Sequence, residues 1–524
     1  MVTTDRSFEQ TAAIRPAQST SRWPNSSTDT TSTRDPAPGK PPTDAANLSR
    51  VRYALIWAGM ILCAALGSWG NRGLVFDDPY IFFRYANNLT LHNEWIYNYG
   101  APGTDAATSP LYVLVLALMH VLGLNIESAA TATFVMSLGT CAFFTFRTLE
   151  KVGYRTAGVV AAALLIGSPW ILITRGMEST PFLAVFAISL YLWRSGRSFS
   201  LGVALATLVL IRPDGAIPAF LILGVLGIKE PKRALRAVIA ALVVCMIWLP
   251  YQWVTISRLL PDTLSVKIAQ GQSGLWGHGP IFVKGLGEVL AGCGTGFLIV
   301  EGIVGYFAVI GVYLSLRHSA FRTTMAVIVG TAVVLFLAYA AMNVPAYPWY
   351  YTVGVYAATV AAGVGIQRCV SGVLRFKHRS LGWTNHLNLI QACVVGLVLM
   401  LMGWHVTPTT PARAGYIAAA KWLDRNTSSS ATISSAEIGT LGYFSHRVIL
   451  DYLGLVTPEA VGPMSRGDAT WWVNGLHPDY WVAHRVPWPR FETPVETAPW
   501  FHQAFREVYH NDQVAIYRRI GFAP

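Results

Sequence analysis

FSLGVALATLVLIRPDGAIPAFLILGVLGI, residues 199–228, is apolar almost throughout, and the group Arg212-Pro213-Asp214-Gly215 interrupts it at the centre. One unbroken helix over this stretch would run about 45 Å at ~1.5 Å per residue, well past a hydrocarbon core of roughly 30 Å. Proline removes a backbone donor and glycine weakens a helix interior, so the centre is a poor place to continue. The stretch predicts two short spans, near 199–211 and 215–228, joined by a turn at one membrane face.

That choice fixes the parity of the whole chain. Further apolar runs lie near 51–71, 128–149, 156–174, 179–194, 236–255, 294–315, 323–342, 349–366 and 387–406. The run PLYVLVLALMHVLG at 110–123 is too short for an ordinary span and predicts a re-entrant or interfacial helix. On this count Lys151 with Arg155, Arg194 with Arg197, Lys229 to Arg236, Arg317 with Arg322, and Arg368 to Arg379 all fall on one face. By the positive-inside rule that face is cytoplasmic. The competing count makes 110–123 a span and 199–228 one helix, which puts Arg194 and Arg197 outside.

The reading is a polytopic α-helical membrane protein of about 11 transmembrane helices, in the plasma (inner) membrane, with a cytoplasmic N-terminus. Composition agrees: 53% hydrophobic residues, 13% charged and 18 tryptophans in 524 residues. The formal charge of +12 sits in short clusters between apolar runs, so membrane lipids rather than nucleic acid explain it. The six cysteines show no metal-site spacing and predict neither disulfides nor metal. Residues 1–47, rich in Ser, Thr, Pro and Asp, predict a disordered cytoplasmic tail without a signal peptide.

Three segments then face the exterior: 72–127, 256–293 and everything after 407. In the last, ARAGYIAAAKWLDRN reads as a helix, ATISSAE, RVILDYLGL and PDYWVAH as strands, and FREVYHNDQVAIYRR as a hairpin about Asn511-Asp512. A small extracytoplasmic α/β domain over 407–524 is expected, after a transmembrane domain over 48–406. No repeat of fixed period is visible, nor an inverted pair of broken helices of the kind transporters use.

Chemistry is sought at the outer mouth. In GLVFDDPYIFFRYANN, 73–88, Asp77 and Asp78 follow an apolar run, and Arg84 and Tyr85 come one to two helical turns later. A carboxylate beside hydrocarbon needs water, a cation or a hydrogen-bond donor, and simple solvation at the surface is the plainer reading. Glu178, in TRGMESTPFL, starts another span on the same face, and Arg175, Arg212, Arg258 and Lys267 add cations there. Each cation has an ordinary explanation as a lipid anchor, yet the positive-inside rule predicts few on this side. Acids and cations together suit a reaction in which a hydroxyl loses its proton while a phosphate departs. Trp69, Trp170, Trp253 and Trp349 read as interface anchors; rings in Ala346 to Tyr351 could also stack on a sugar, which brings in Tyr350. His92, His278 and His405 are scattered and read as interfacial.

FDDPYIFFRYANN, YNYGAPGTDAATSPLY, GMESTPFL, LIRPDG and LLPDTLSVK, in that order over roughly 51–350, resemble the signatures of the GT-C glycosyltransferases, nearest to actinobacterial arabinofuranosyltransferases and their bacterial relatives. AEIGTLGYFSHRVILDYLGLVTPEA resembles the extracytoplasmic end of such proteins. The resemblance implies a membrane enzyme that takes a sugar from a polyprenyl-phosphate donor to a glycan, lipid or protein acceptor. It implies Asp77 as catalytic base, Asp78 as orienting that base or the acceptor, and Glu178 as an acid shaping the site around the donor phosphate or a metal. Lys267, then Arg212 and Arg175, would meet the donor phosphate, with a divalent cation (Mg²⁺ or Mn²⁺) held by Glu178 as the alternative. Arg84, Tyr85 and Tyr350 would shape the substrate site. The sequence departs from the pattern at Pro79, where a small residue is usual, and at Asp262, where asparagine is. A lipid or solute transporter and a catalytically silent glycan-binding protein are the competing readings.

Overall fold

The polar break at Arg212–Gly215 is a true end of helix. Helix α8 (Ser198–Ile211) stops at Arg212, whose backbone is extended (φ −151°, ψ 133°), and a 3₁₀ turn at Pro213–Gly215 leads into α9 (Ala216–Lys229). The structure is a computed structural model and describes residues 43–69, 76–100, 104–256, 262–317, 319–377, 384–407 and 413–521. Arg258 and residues 1–42 of the expected tail lie outside the described residues.

Upstream come α1 (Thr43–Trp69), α2 (Asp78–His92), α3 (Pro110–Val121), α4 (Ile126–Lys151), α5 (Arg155–Gly167), the single turn α6 (Pro169–Leu172) and α7 (Ser179–Arg194). Helix α1 starts at Thr43, ahead of the boundary expected at 48. Downstream lie α10 (Pro231–Ile256), α11 (Thr263–Gln272), α12 (Ile281–Ala291), α13 (Thr295–Arg317), α14 (Ser319–Met342), α15 (Thr352–Lys377) and α16 (Thr384–Val406). Helices therefore stand at all eleven positions read from the apolar runs. Seven of them, α1, α4, α10, α13, α14, α15 and α16, are long and apolar enough to cross a membrane. The other four, α5, α7, α8 and α9, have 13 to 16 residues. The chain is an integral membrane protein.

Tyr53–Pro524 forms one compact unit; of Met1–Arg52, the described residues are the start of α1. Within the bundle, helices cross where side chains are small. A Cβ built on Gly311 would lie 1.8 Å from the carbonyl oxygen of Ala361, and one on Gly365 2.1 Å from that of Phe307, so α13 and α15 touch backbone to backbone. In lipid, where tails are as apolar as leucine, such close contact drives helix association.

After α16 the chain forms a mixed sheet with α17 (Ala414–Asn426) and α18 (Ile438–Ser445). Its strands are β1 (Thr432–Ser434), β2 (Val448–Leu450), β3 (Tyr480–His484), β4 (Phe505–His510) and β5 (Val514–Arg519), in the order β2-β1-β3-β5-β4. β1 runs parallel to both neighbours, and β5 antiparallel to both of its own. The expected hairpin is closed by Asn511, whose Oδ1 accepts from the backbone N–H groups of Gln513 and Val514. Ile433, Val482 and Ile516 of the sheet share one buried cluster with Phe83 and Tyr85 of α2 and with Leu441 of α18. The sheet is thus packed onto the first loop rather than tethered beside it.

Candidate active site

Helix α2 begins at Asp78 with Pro79 in its first turn, where the missing N–H of proline has no helical acceptor to lose. The departure at Pro79 is a helix start. Asp77 and Asp78, adjacent in sequence, meet different surroundings. The Asp77 carboxylate accepts from the backbone N–H groups of Gly439 and Thr440 at the head of α18, the latter at 2.8 Å, and pairs with Arg413. A helix N-terminus suits a carboxylate, since its first amides lack helical partners. Gly439 permits the approach: a Cβ there would lie 2.1 Å from the Asp77 carbonyl oxygen.

Asp78 instead lines a cavity of about 370 Å³. The same cavity carries Glu178, Arg212, Asp214, Lys267, Tyr339, Trp349 and Tyr350. It joins the heads of α2, α7 and α9 to α11 and the far end of α14, and Leu455 of the C-terminal domain closes one side. Burial pushes the Asp78 carboxyl up to about 7; Lys267 opposes the rise, and Asp77, Glu437 and Glu178 add to it. Among the described residues Lys267 forms no ion pair, and its Nζ lies 4.5 Å above the Tyr347 ring. Tyr347 stacks on Trp349 at 4.7 Å between ring centres. Trp349, expected as a lipid anchor, is buried at the cavity.

The second wall is a buried ion cluster. Arg212 donates through Nε to Asp214 Oδ1 at 3.1 Å and through Nη2 to Asp214 Oδ2 at 2.8 Å. Its Nη2 also reaches Tyr339 Oη at 3.0 Å, and Nη1 lies 3.6 Å from Glu178 Oε1. Tyr339 in turn donates to Asp214. All three guanidinium nitrogens are engaged, between the rings of Phe182 and Tyr350.

Behind Asp77 runs a chain of charges. Arg413 pairs with Asp77 and Glu437; Glu437 Oε1 lies 3.5 Å from His484 Nε2, and His484 Nδ1 lies 2.8 Å from Glu492 Oε1. Burial opposes it, yet hydrogen bonds to Glu437 and Glu492 raise His484 to about 9. Burial likewise opposes the ionised form of Glu437, yet Arg413 and His484 hold it down at about 2. A histidine raised above its usual 6.5 contributes stability that is complete below about 6.5 and lost as pH rises through about 9. Thermal unfolding of the C-terminal domain is therefore expected to shift to lower temperature across that window. In His484→Gln the shift should largely vanish, and an equal shift in both proteins would remove His484 from the docking network.

Of the residues read from sequence, Asp78, Glu178, Arg212, Lys267 and Tyr350 share the cavity, and four do not line it. Asp77 is held by the C-terminal domain. Arg175 donates through Nη1 to the carbonyl of Ser68 at 3.0 Å, a cation at the last turn of α1. Arg84 is buried, donating to the carbonyls of Tyr97 and Arg447, both at 2.7 Å, and lying 4.4 Å over the Tyr97 ring. Tyr85 donates to the carbonyl of Thr104 and accepts from the N–H of Ala106, fixing a loop that reaches the cavity. Asp214, Tyr339, Arg413, Glu437 and His484 were not nominated from sequence. Only Asp214 had a signal, two residues after Arg212 in the turn. Glu178 and Asp214 both face Arg212, and among the described residues no three His, Cys, Asp or Glu side chains group as a metal site.

A family described as a domain of unknown function (DUF8728) matches residues 407–517. No curated protein matches the sequence. Among solved structures, ArnT from Cupriavidus metallidurans bound to undecaprenyl phosphate is similar with a TM-score of 0.58 at 14% identity, over 92% of this chain and 99% of that one. The same protein in the apo state gives 0.59 at 14% identity, over 90% and 98%. At this identity the likeness is one of fold.

Proposed function

We propose, from the GT-C fold that this chain has, that it is an inverting glycosyltransferase working on the extracytoplasmic face of the membrane. It takes a sugar from a polyprenyl-phosphate donor to a hydroxyl of a glycan, lipid or protein. The observation that carries the reading is one cavity holding a carboxyl poised near neutrality, Asp78, together with Lys267, which forms no ion pair among the described residues and whose charge restrains that carboxyl. That the similar ArnT structure holds undecaprenyl phosphate supports the class of donor.

Asp78 takes the proton from the acceptor hydroxyl as its oxygen bonds to the anomeric carbon. The bond from that carbon to the phosphate oxygen breaks on the opposite side, and the phosphate leaves with the electron pair. Lys267 meets the charge that gathers there. A base with a pKa near 7 is both free of its proton and basic enough at neutral pH. Asp77, which the sequence suggested for that task, holds α2 in place instead, so the roles within the acidic pair exchange.

The test is donor binding. Lys267→Ala is expected to weaken polyprenyl-phosphate binding by about 10- to 100-fold, the worth of one hydrogen bond to a charged group. Binding to within twofold of the parent protein would take Lys267 out of the phosphate site.

A further inference from the structure

The Arg212 wall of the cavity has a chemistry of its own. With its three nitrogens facing Asp214, Tyr339 and Glu178, Arg212 has little left for a phosphate. Its charge is shared, because two acids, Glu178 and Asp214, face one guanidinium, and burial raises the Glu178 carboxyl while Arg212 opposes the rise. Glu178 is 4% exposed, lines the cavity, and its Oε2 is buried with no hydrogen-bond partner among the described residues. A buried carboxylate oxygen without a donor is costly, and a ligand that brings one removes the cost.

We propose that this wall seats the transferred sugar, that Glu178 Oε2 accepts a hydrogen bond from a sugar hydroxyl, and that the wall admits neutral sugars and rejects those bearing a carboxylate. The assignment rests on the glycosyl-transfer reading and divides the cavity in two. The donor phosphate lies toward Lys267, and the hydroxyl-rich ring lies toward Glu178 and Asp214. A carboxylated sugar would bring a third acid to a wall where one guanidinium already serves two. Arg212 is then a positioning residue that orients both acids.

The experiment pairs a polyprenyl-phosphate hexose with the matching hexuronate, and measures binding and transfer separately in the parent protein, Glu178→Gln and Lys267→Ala. The parent is expected to prefer the neutral donor by about 100-fold in binding. Glu178→Gln, which keeps the side-chain volume and removes one of the two acids, should narrow that ratio at least about tenfold, while bare polyprenyl phosphate binds as before. Lys267→Ala should weaken both donors equally and leave the ratio alone. Equal use of the hexuronate by the parent, or an unchanged ratio in Glu178→Gln, overturns the sugar seat. So does a loss of bare polyprenyl-phosphate binding in Glu178→Gln as large as in Lys267→Ala. Selective binding without transfer from either donor would uphold the seat and overturn the transfer reading.

Discussion

Asp78→Asn is expected to lower turnover by about 10²- to 10⁴-fold, the contribution of a positioned general base, while donor binding changes little. Asparagine fills the same space but takes no proton. The parent protein should show a matching pH profile. With the Asp78 carboxyl at about 7, its reactive form is the ionised one. Transfer per donor should therefore climb with pH through about 7 and then level off, and the climb should disappear in the variant. Asp77→Asn provides the contrast. Its single amide oxygen can replace only one of the two oxygens that accept from Gly439 and Thr440, but Arg413 keeps Glu437, so turnover should fall less than in Asp78→Asn. Full activity in Asp78→Asn beside a dead Asp77→Asn would return the base to Asp77.

Arg413→Ala should be the most destabilising single change at the docking surface. Arg413 is the cation shared by Asp77 and Glu437, and all three side chains are nearly sealed from solvent. Removing one partner of a buried pair leaves uncompensated charge, at a cost of roughly 3 to 5 kcal/mol. The C-terminal domain is expected to melt earlier and to become open to proteolysis near 413, with activity falling because Leu455 and the head of α2 lose their places. A melting profile like that of the parent protein would show that the ion pairs contribute little to docking. The double change Asp77→Asn with Arg413→Gln should recover part of the loss, since it removes charge of both signs together.

How much of this could be read from the chain depended on distance along it. Apolar run length and the break at Arg212–Gly215 are local, and helices stand at every position they marked. The strands of the C-terminal domain were legible for the same reason, through alternation and the Asn511 turn. Glu178 and Lys267, which line one cavity, could be singled out because acids and cations are rare at the mouth of an apolar bundle. Which of Asp77 and Asp78 faces the cavity was not legible. Successive residues on a helix point about 100° apart, and nothing within the motif says which direction is cavity. That is decided by α18, whose amides lie more than 360 residues downstream of Asp77. The place of Arg84 away from the cavity was hidden for a related reason: its partners include the carbonyl of Arg447, 363 residues away. A buried arginine and a ligand-binding one look alike until the fold brings their partners together.

Gly439 and Gly442 leave α18 slender on the side that meets α2, where added methyl groups would strike the Asp77 backbone and the Tyr97 hydroxyl. A chain ending before the sheet would keep both aspartates and lose what makes them different. Two identical neighbours could then trade places, and the donor would meet a pair of interchangeable acids instead of one anchored and one free. The sheet domain is in that sense what tells two neighbouring acids apart, although it lies more than 360 residues downstream of them.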